Sequence, residues 1–495
     1  MNDRLTTLAL AFAPHPRPFP REGVQGRAGV ESKQNWKLSL TLPHPPLGAD
    51  APRFPLSVNG EGERPSAARP GGEVNRLPAN RTGDAPARAP RVAYLVSRFP
   101  KLTETFILYE ILAVQAQGVP VALYPLQRER ASVMHPEAAP LVAAAHYQPL
   151  LSPAILRAHL HYLRRKPRAY VAALRDLLRG TWGSRRYFFG ALAFFPKAVR
   201  FAQMMEAAGI EHIHAHFASH PAAAAFVIHR LTGIPYSFTA HGSDLHRDKH
   251  MLCAKTAEAA FVVTISEFNR RIFIAECGET ARAKVEVLHC GVDSSAFQPD
   301  GTARGAEGPL QILCIGTLHE VKGQTHLIEA CRLLAERGLD FVCRFVGEGP
   351  DGPTLAGQAA RARLNGAVQF AGRKTRQEVI ALLSEADVVV APSVPSRDNR
   401  REGIPVVLME AMSAGVPVVA SDLSGIPELV EHEVSGLLVP PGDPAAIAAA
   451  LERLAHDPAL RARLGRDGRA KVLREFDLAA NAARLVERFR KSVQP

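Results

Sequence analysis

Glu402-Gly-Ile-Pro-Val-Val-Leu-Met-Glu410, continued by Ala411-Met-Ser-Ala-Gly-Val-Pro417, lies between two short strand-like runs, Val388 to Ala391 and Val418 to Ala420. An apolar segment of this length between β-branched runs, closed by Gly415 and Pro417, reads as a helix linking two buried parallel strands. The same grammar extends in both directions. Gln311 to Ile315, Phe341 to Val346 and Val368 to Phe370 are strand-like upstream, and Leu437 to Val439 downstream. Further back, Val92 to Ser97, Val119 to Tyr124, His212 to His216, Tyr236 to Thr239, Phe261 to Ile265 and Val285 to Leu288 form a second series. Helices are predicted in it at Glu104 to Gln117, after Pro221 and from Ser266. Strands alternating with helices imply parallel sheets covered on both faces, so the fold class is α/β, with two doubly wound domains facing across a cleft.

The boundaries follow from composition. Residues 1–90 hold fourteen Pro and nine Gly without periodicity, which predicts a disordered extension. Residues 91–298 make the first domain, 299–309 a Pro/Gly-rich linker and 310–474 the second domain. Residues 475–495 make a final helix whose Leu485, Val486 and Phe489 are free to pack back across the cleft.

A chain of 495 residues with 46% hydrophobic and 22% charged residues has the balance of a globular protein of two or three domains. Six cysteines without a CxxC pair read as buried free thiols of a reducing compartment. No apolar run is long enough to span a bilayer. Leu5 to Ala13 has the length of a signal h-region, but Asp3 before it and Pro14 after it are wrong for export. The expected location is therefore cytoplasmic.

The net charge is +12, and it is concentrated. Residues 151–200 carry eleven Lys/Arg against one acid, Asp176, interleaved with Tyr162, Tyr170, Trp182, Tyr187, Phe188, Phe189, Phe194 and Phe195. A basic stripe with aromatic and leucine faces suits an anionic membrane surface, which places the protein peripherally at the inner face of the membrane. The plainer reading is a solvated helical hairpin whose aromatics are core. No nucleic-acid motif accompanies the charge, so nucleic acid is not an expected partner.

Glu402 and Glu410 would lie about two turns apart on one side of a helix beginning near Glu402. Carboxylates accept hydrogen bonds from polyol hydroxyls, and free N–H groups at a helix start attract phosphate. Gly316-Thr-Leu-His-Glu-Val-Lys-Gly323 closes a strand and opens a helix, so Lys322 is placed to meet a diphosphate. Phe345-Val-Gly-Glu-Gly-Pro350 and Phe370-Ala-Gly-Arg-Lys374 are similar strand-end turns.

The order and spacing of these pieces, with Ser424-Gly-Ile-Pro-Glu428 and Gly436-Leu-Leu-Val-Pro-Pro-Gly-Asp443, resemble the donor domain of glycosyltransferase family four, a GT-B fold of two Rossmann-like domains. In the first half, Ser97-Arg-Phe-Pro-Lys-Leu-Thr-Glu-Thr-Phe106, His214-Ala-His-Phe217 and Thr239-Ala-His-Gly-Ser-Asp244 resemble its exopolysaccharide and colanic-acid-type branch. The resemblance implies retaining transfer of a sugar from a nucleotide sugar to a glycan or polyprenyl-linked acceptor, without metal or other cofactor. It implies that Glu402 and His241 face the reacting sugar. Gly316, Thr317, Lys322, Gly347 and Arg373 are implied around the donor. So are Gly403, Ile404, Pro405 and Val406, with Glu410 at the ribose; Phe99, Glu104 and His216 fall on the acceptor side. Thr317 stands where many members have a phosphate-binding Arg, and Arg373, Arg397 or Arg98 are its possible substitutes.

Some residues keep alternative readings. His212, His214 and His216 would share one strand face, but no carboxylate or Cys is spaced with them for a metal, which leaves cleft lining or plain packing. Glu104 is an acceptor contact or a helix-terminus acid. Ser97-Arg-Phe-Pro in place of GxGxxG argues against a dinucleotide enzyme. Sugar-nucleotide epimerisation, phosphorolysis and a non-catalytic membrane scaffold stay as rivals.

Overall fold

The computed structural model of the protein describes residues 88–101, 104–129, 134–246, 248–299 and 308–494. The predicted extension and most of the predicted linker lie outside them. The first sheet contains β1 (Val92–Phe99), β2 (Val121–Arg128), β3 (His212–His216), β4 (Tyr236–Ala240), β5 (Phe261–Thr264) and β6 (Val285–Val287). They are all parallel, in the order β2-β1-β3-β4-β5-β6. The second contains β7 (Leu310–Ile315), β8 (Phe341–Val346), β9 (Val368–Phe370), β10 (Val388–Ala391), β11 (Val418–Ser421) and β12 (Leu437–Val439). Its order is β12-β11-β10-β7-β8-β9, again parallel throughout.

The apolar runs behave as strands buried on both faces should. Val92 to Val96 are shielded, and the two faces of each sheet feed separate cores. The final helix, Leu478–Val493, returns to the first domain. Its Leu485, Val486 and Phe489 share a core with Tyr94, Ile107 and Phe261.

Each sheet has one point where the strand order reverses, between β1 and β3 and between β7 and β10. Ligand crevices in open α/β sheets form outside the carboxyl ends of the strands at such points. The β1 and β3 ends carry Phe99 and His216, and the β7 and β10 ends lead into Gly316 and the loop containing Glu402.

Three readings of the sequence need correction. Cys253 and Cys277 are not free thiols but form a disulfide, because the helices Leu252–Glu258 and Glu267–Lys284 pack with the two Cα atoms 5.1 Å apart. Cys314, Cys331 and Cys343 are buried and free, and Cys290 is half-buried and free.

The aromatics of residues 151–200 are mostly core. Tyr162, Tyr170, Tyr187, Phe194 and Phe195 are buried, because the helices Pro153–Arg165, Pro167–Thr181 and Arg185–Ala207 turn that face toward the helix His220–Thr232 and toward one another. What they leave exposed is largely leucine. Eight of the thirteen large apolar side chains exposed among the described residues fall here, Leu151, Leu156, Leu160, Leu163, Val171, Trp182, Phe189 and Leu192, and Leu150 adjoins them. Arg157, Arg164, Arg165, Arg168, Arg179, Arg185 and Arg186 are exposed beside them.

The third correction concerns Glu402, which is not on a helix. The helix Val406–Ser413 begins four residues later. Pro405 disfavours helical backbone at Ile404, so the preceding segment stays a loop.

Candidate functional site

The second-domain half of the site is built at the β7/β10 switch point. Gly316 ends β7, and Gly347, at φ +133°, ends β8 so close to it that a Cβ there would lie 2.1 Å from the Gly316 carbonyl. Only glycine permits this approach with that backbone. The 3-10 turn Glu320–Lys322 then lays the Lys322 stem over Gly316 and brings its Nζ to 2.9 Å from Glu402 Oε2. This ion pair is about three-quarters or more shielded on each side, with side chains 25% and 18% exposed. Thr317 contributes its carbonyl, which accepts from Gln324 Nε2 at 3.0 Å.

Each proposed substitute for the missing Arg has a carboxylate of its own. Arg373 pairs with Glu348 at 2.8 Å, Arg397 with Glu320 at 3.5 Å and Arg98 with Glu129 at 3.5 Å.

Glu410 sits one turn into the helix Val406–Ser413, and burial pushes its carboxyl up to about 7 against the opposing pull of Arg376. Arg376 had no signal in the sequence beyond its charge. Its guanidinium lies 4.5 Å from the Tyr109 ring centroid and pairs with Asp293 at 3.0 Å, so one side chain of the second domain joins two segments from residues 91–298.

The first-domain half centres on His241. Asp244 fixes the turn: its carboxylate accepts from the N–H groups of His241 at 3.1 Å, Gly242 at 2.8 Å and Ala218 at 2.6 Å. Burial pushes the Asp244 pKa up, while these N–H groups pull it down. The His241 ring packs between Phe106 and Phe217, with centroids at 4.5 and 4.9 Å.

His216 Nδ1 lies 3.0 Å from His241 Nε2, and His216 Nε2 lies 3.1 Å from Glu110 Oε1. Glu110 also accepts from the Tyr94 hydroxyl at 3.0 Å. The three histidines therefore part company. His212 and His214 bond Ser237 at 2.7 and 2.8 Å inside the core, and only His216 reaches His241.

The absence of a carboxylate near the histidines is also corrected. Glu110, from the helix Thr105–Ala116, comes within reach of His214 and His216, a grouping whose ligand atoms all lie within 4.8 Å. Every one of those atoms has a protein hydrogen-bond partner: Thr239 for His214 Nε2, Glu110 for His216 Nε2, and Tyr94 for Glu110.

The halves meet along a seam of small residues. A Cβ on Gly403 would lie 2.5 Å from the His241 carbonyl oxygen, and one on Gly425 would lie 2.8 Å from Ser266 Cβ. Beside it, Glu428 accepts from Glu267 N at 2.8 Å and Phe268 N at 2.9 Å, so an acid of the second domain caps a helix of the first.

The seam brings His241 and Gly403 together, with Ile404 buried and Val406 opening its helix behind them. Phe99 and Glu104 lie apart from that contact. They line a small cavity with Arg98, Lys101, Ile107, Leu108 and His135, and Lys101 and Glu104 form an ion pair there.

Comparison with known proteins gives a consistent result. The family profile described as Glycosyl transferases group 1 matches residues 302–471, and that described as Glycosyltransferase Family 4 matches residues 103–296. A protein of Escherichia coli (strain K12) named for colanic acid biosynthesis, the glycosyltransferase WcaL, is 33% identical over 381 residues. That match covers 73% of this chain and 89% of the relative. The amylovoran biosynthesis glycosyltransferase AmsK of Erwinia amylovora is 41% identical over 194 residues, 39% of this chain and 47% of its own. Among solved structures, Anabaena Alr3699/HepE in complex with UDP and glucose superposes with a TM-score of 0.60 at 18% identity, over 80% of this chain and 98% of that one. A glycosyltransferase of Rickettsia africae gives 0.61 at 15% identity, over 82% and 99%. At these identities the structures speak for the shared fold of two doubly wound domains.

Proposed function

This chain belongs to glycosyltransferase family 4, and from that premise we propose that it moves a sugar from a nucleoside diphosphate sugar to a glycan or polyprenyl-linked acceptor in surface polysaccharide synthesis. We further assign it retention of configuration without a metal or other cofactor. The observation that carries the reading is the Lys322–Glu402 pair at 2.9 Å, with Gly403 held against the His241 carbonyl. One cation for a diphosphate and one carboxylate for a sugar stand side by side where a doubly wound sheet binds its ligand. The relatives named for colanic acid and amylovoran support the acceptor class, and the UDP complex of the Anabaena protein supports the donor class.

In this reading Lys322 and the free N–H groups at the start of Val406–Ser413 take up the charge of the departing diphosphate. Glu402 and the His241 carbonyl face the sugar where positive charge develops. Glu410 accepts from the ribose hydroxyls, and Gly316, Thr317 and Gly347 let the diphosphate approach the main chain. The acceptor enters past Phe99 and Glu104. Its hydroxyl attacks the face that the diphosphate leaves, and a diphosphate oxygen takes its proton, so the protein supplies position and field rather than a nucleophile.

A thermal-shift series with UDP-, GDP- and ADP-sugars tests the reading, since a ligand bound only by the folded state raises Tm. Glu410 adds a pH signature to it. Its folded-state pKa is raised to about 7, so without donor its contribution to stability is full below the unfolded value and is lost as pH rises through 7. A ribose diol favours the ionised carboxylate, so donor affinity is expected to weaken as pH falls below 7, by up to about tenfold per unit. The doubly esterified diphosphate of a nucleotide sugar stays ionised across this range, and Glu410→Gln supplies the baseline: it should bind more weakly at pH 8 and follow a shallower pH curve. Parallel curves for the two proteins would remove Glu410 from the ribose.

The helices Pro153–Arg165, Pro167–Thr181 and Arg185–Ala207 supply the membrane contact in our reading, with Leu156, Leu160, Leu163, Trp182 and Phe189 entering the interface and the arginines meeting anionic headgroups. Each such cation near the surface adds about 1 kcal/mol. Sedimentation with phosphatidylglycerol vesicles should therefore be strong at low salt and fall with added salt, and the double change Trp182→Ala with Phe189→Ala should weaken it. Equal sedimentation with neutral and anionic vesicles would refute the assignment.

A further inference from the structure

We propose that Glu110 and His216 are positioning residues for His241, forming a relay that decides which nitrogen of the His241 ring carries its proton. The inference rests on the reading of His241 as a residue of the donor-sugar site; it adds Glu110, which no motif assigns, and moves His216 from the acceptor side to a role behind His241. Five separate segments converge on it. Tyr94 of β1 donates to Glu110 at 3.0 Å, Glu110 lies 3.1 Å from His216 Nε2, and His216 Nδ1 lies 3.0 Å from His241 Nε2. His241 Nδ1 ends the line, 3.8 Å from the Cys290 sulfur beyond β6. The two imidazole planes are inclined by only 19°, with centroids 5.3 Å apart, which suits a bond made edge to edge.

Counting protons along the line gives the states that the relay assigns. Burial alone would raise the Glu110 pKa, but His216, His214 and the Tyr94 hydroxyl hold it down at about 2, so it is a carboxylate and only accepts. His216 Nε2 must therefore carry a proton and donate it. The relay takes His216 as a neutral ring: with Nε2 donating to Glu110, Nδ1 accepts and His241 Nε2 is the donor. Burial pushes the His241 pKa well below its ordinary value, so that ring is neutral and its Nδ1 holds a bare lone pair. The facing thiol of Cys290 is kept protonated by burial, and at 3.8 Å it is a weak, replaceable partner.

The consequence is chemical. A neutral ring with an unprotonated Nδ1 accepts a hydroxyl hydrogen and adds no positive charge beside a sugar that is itself becoming positive. Without Glu110 nothing compels His216 to donate away from His241, and the opposite tautomer of both rings becomes available. Phe106 and Phe217 hold the ring in place by packing, but packing does not choose a tautomer.

The test is Glu110→Gln, nearly isosteric but uncharged and able to donate, alongside Glu110→Asp and His241→Ala, with turnover read as donor-sugar hydrolysis. Glu110→Gln should lower kcat by about tenfold to a hundredfold, the scale of a misplaced catalytic group, while UDP affinity stays within about threefold. Glu110→Asp, which keeps the charge, should recover part of the loss. In ring-15N histidine spectra, His241 should read as the Nε2–H tautomer in the wild type and as a mixture in Glu110→Gln. Unchanged kcat, an unchanged tautomer, or a loss of UDP affinity in step with kcat overturns the relay. If His241→Ala itself turns over at the wild-type rate, the reading of His241 has failed and takes the relay with it. If His241→Ala is slow and Glu110→Gln is not, the relay alone has failed.

Discussion

Glu402→Gln is expected to lower kcat by about a hundredfold or more, the scale of losing one electrostatic contact of about 3 kcal/mol in the transition state, while nucleoside diphosphate still binds. The ion pair sharpens the expectation. Glu402 Oε2 sits 2.9 Å from Lys322 Nζ, so the substitution removes a negative charge from the sugar side and releases a cation on the diphosphate side. UDP affinity should hold or rise, and the fall in turnover should not be recovered by saturating donor. The fold is not at stake. Glutamine keeps the shape of the side chain it replaces, and Lys322 retains 25% of its exposure to water, so Tm serves as a control. Full turnover in Glu402→Gln, or a tenfold loss of UDP affinity, would show that the carboxylate serves the nucleotide rather than the sugar.

The sheets were legible because their strands are buried on both faces, and a run such as Val388–Ala391 has only one use for four consecutive apolar residues. Where a strand outran its apolar pattern, pairing explains it. β2 continues to Arg128 because β1 runs beside it as far as Phe99, a partnership that hydropathy does not encode. The helix start at Val406 is encoded too, since Gly403 and Pro405 both argue against a helix at Glu402.

Glu110 was out of reach. It lies 106 positions before His216 and on its own helix looks like an ordinary polar residue, so only the packing of that helix in the fold makes it a partner. The same holds for Cys253 and Cys277, whose separation of 24 residues matches no motif and becomes a bond only when two helices pack together. Site residues in strand-end motifs are legible in the sequence, and a partner that a separate helix brings to them, such as Glu110, is not.

Gly403→Ala is expected to abolish most turnover, by about a hundredfold, and to leave both stability and nucleotide binding nearly as they were. The backbone at Gly403 lies outside the left-handed region, so alanine meets no conformational strain there. What it meets is the other domain: the new Cβ would stand 2.5 Å from the His241 carbonyl oxygen and 2.8 Å from Ile265 Cδ1. Relief of both contacts requires the seam to part by about 1 Å, since carbon and oxygen approach comfortably only near 3.5 Å. Parting it draws the His241 carbonyl away from the sugar position and loosens the cap that Glu428 places on Glu267 and Phe268. Lys322, Glu402 and Glu410 all belong to the second domain, so UDP keeps its contacts and its Kd. Gly323→Ala is the contrasting variant. Its Cβ would lie 1.8 Å from the Pro392 carbonyl at a φ of +67°, wholly within the second domain, and there the loss should appear in Tm. If Gly403→Ala keeps its kcat, contact between these two main-chain segments is not part of the working conformation; if it loses UDP affinity as well, the damage lies in the loop and not in the seam.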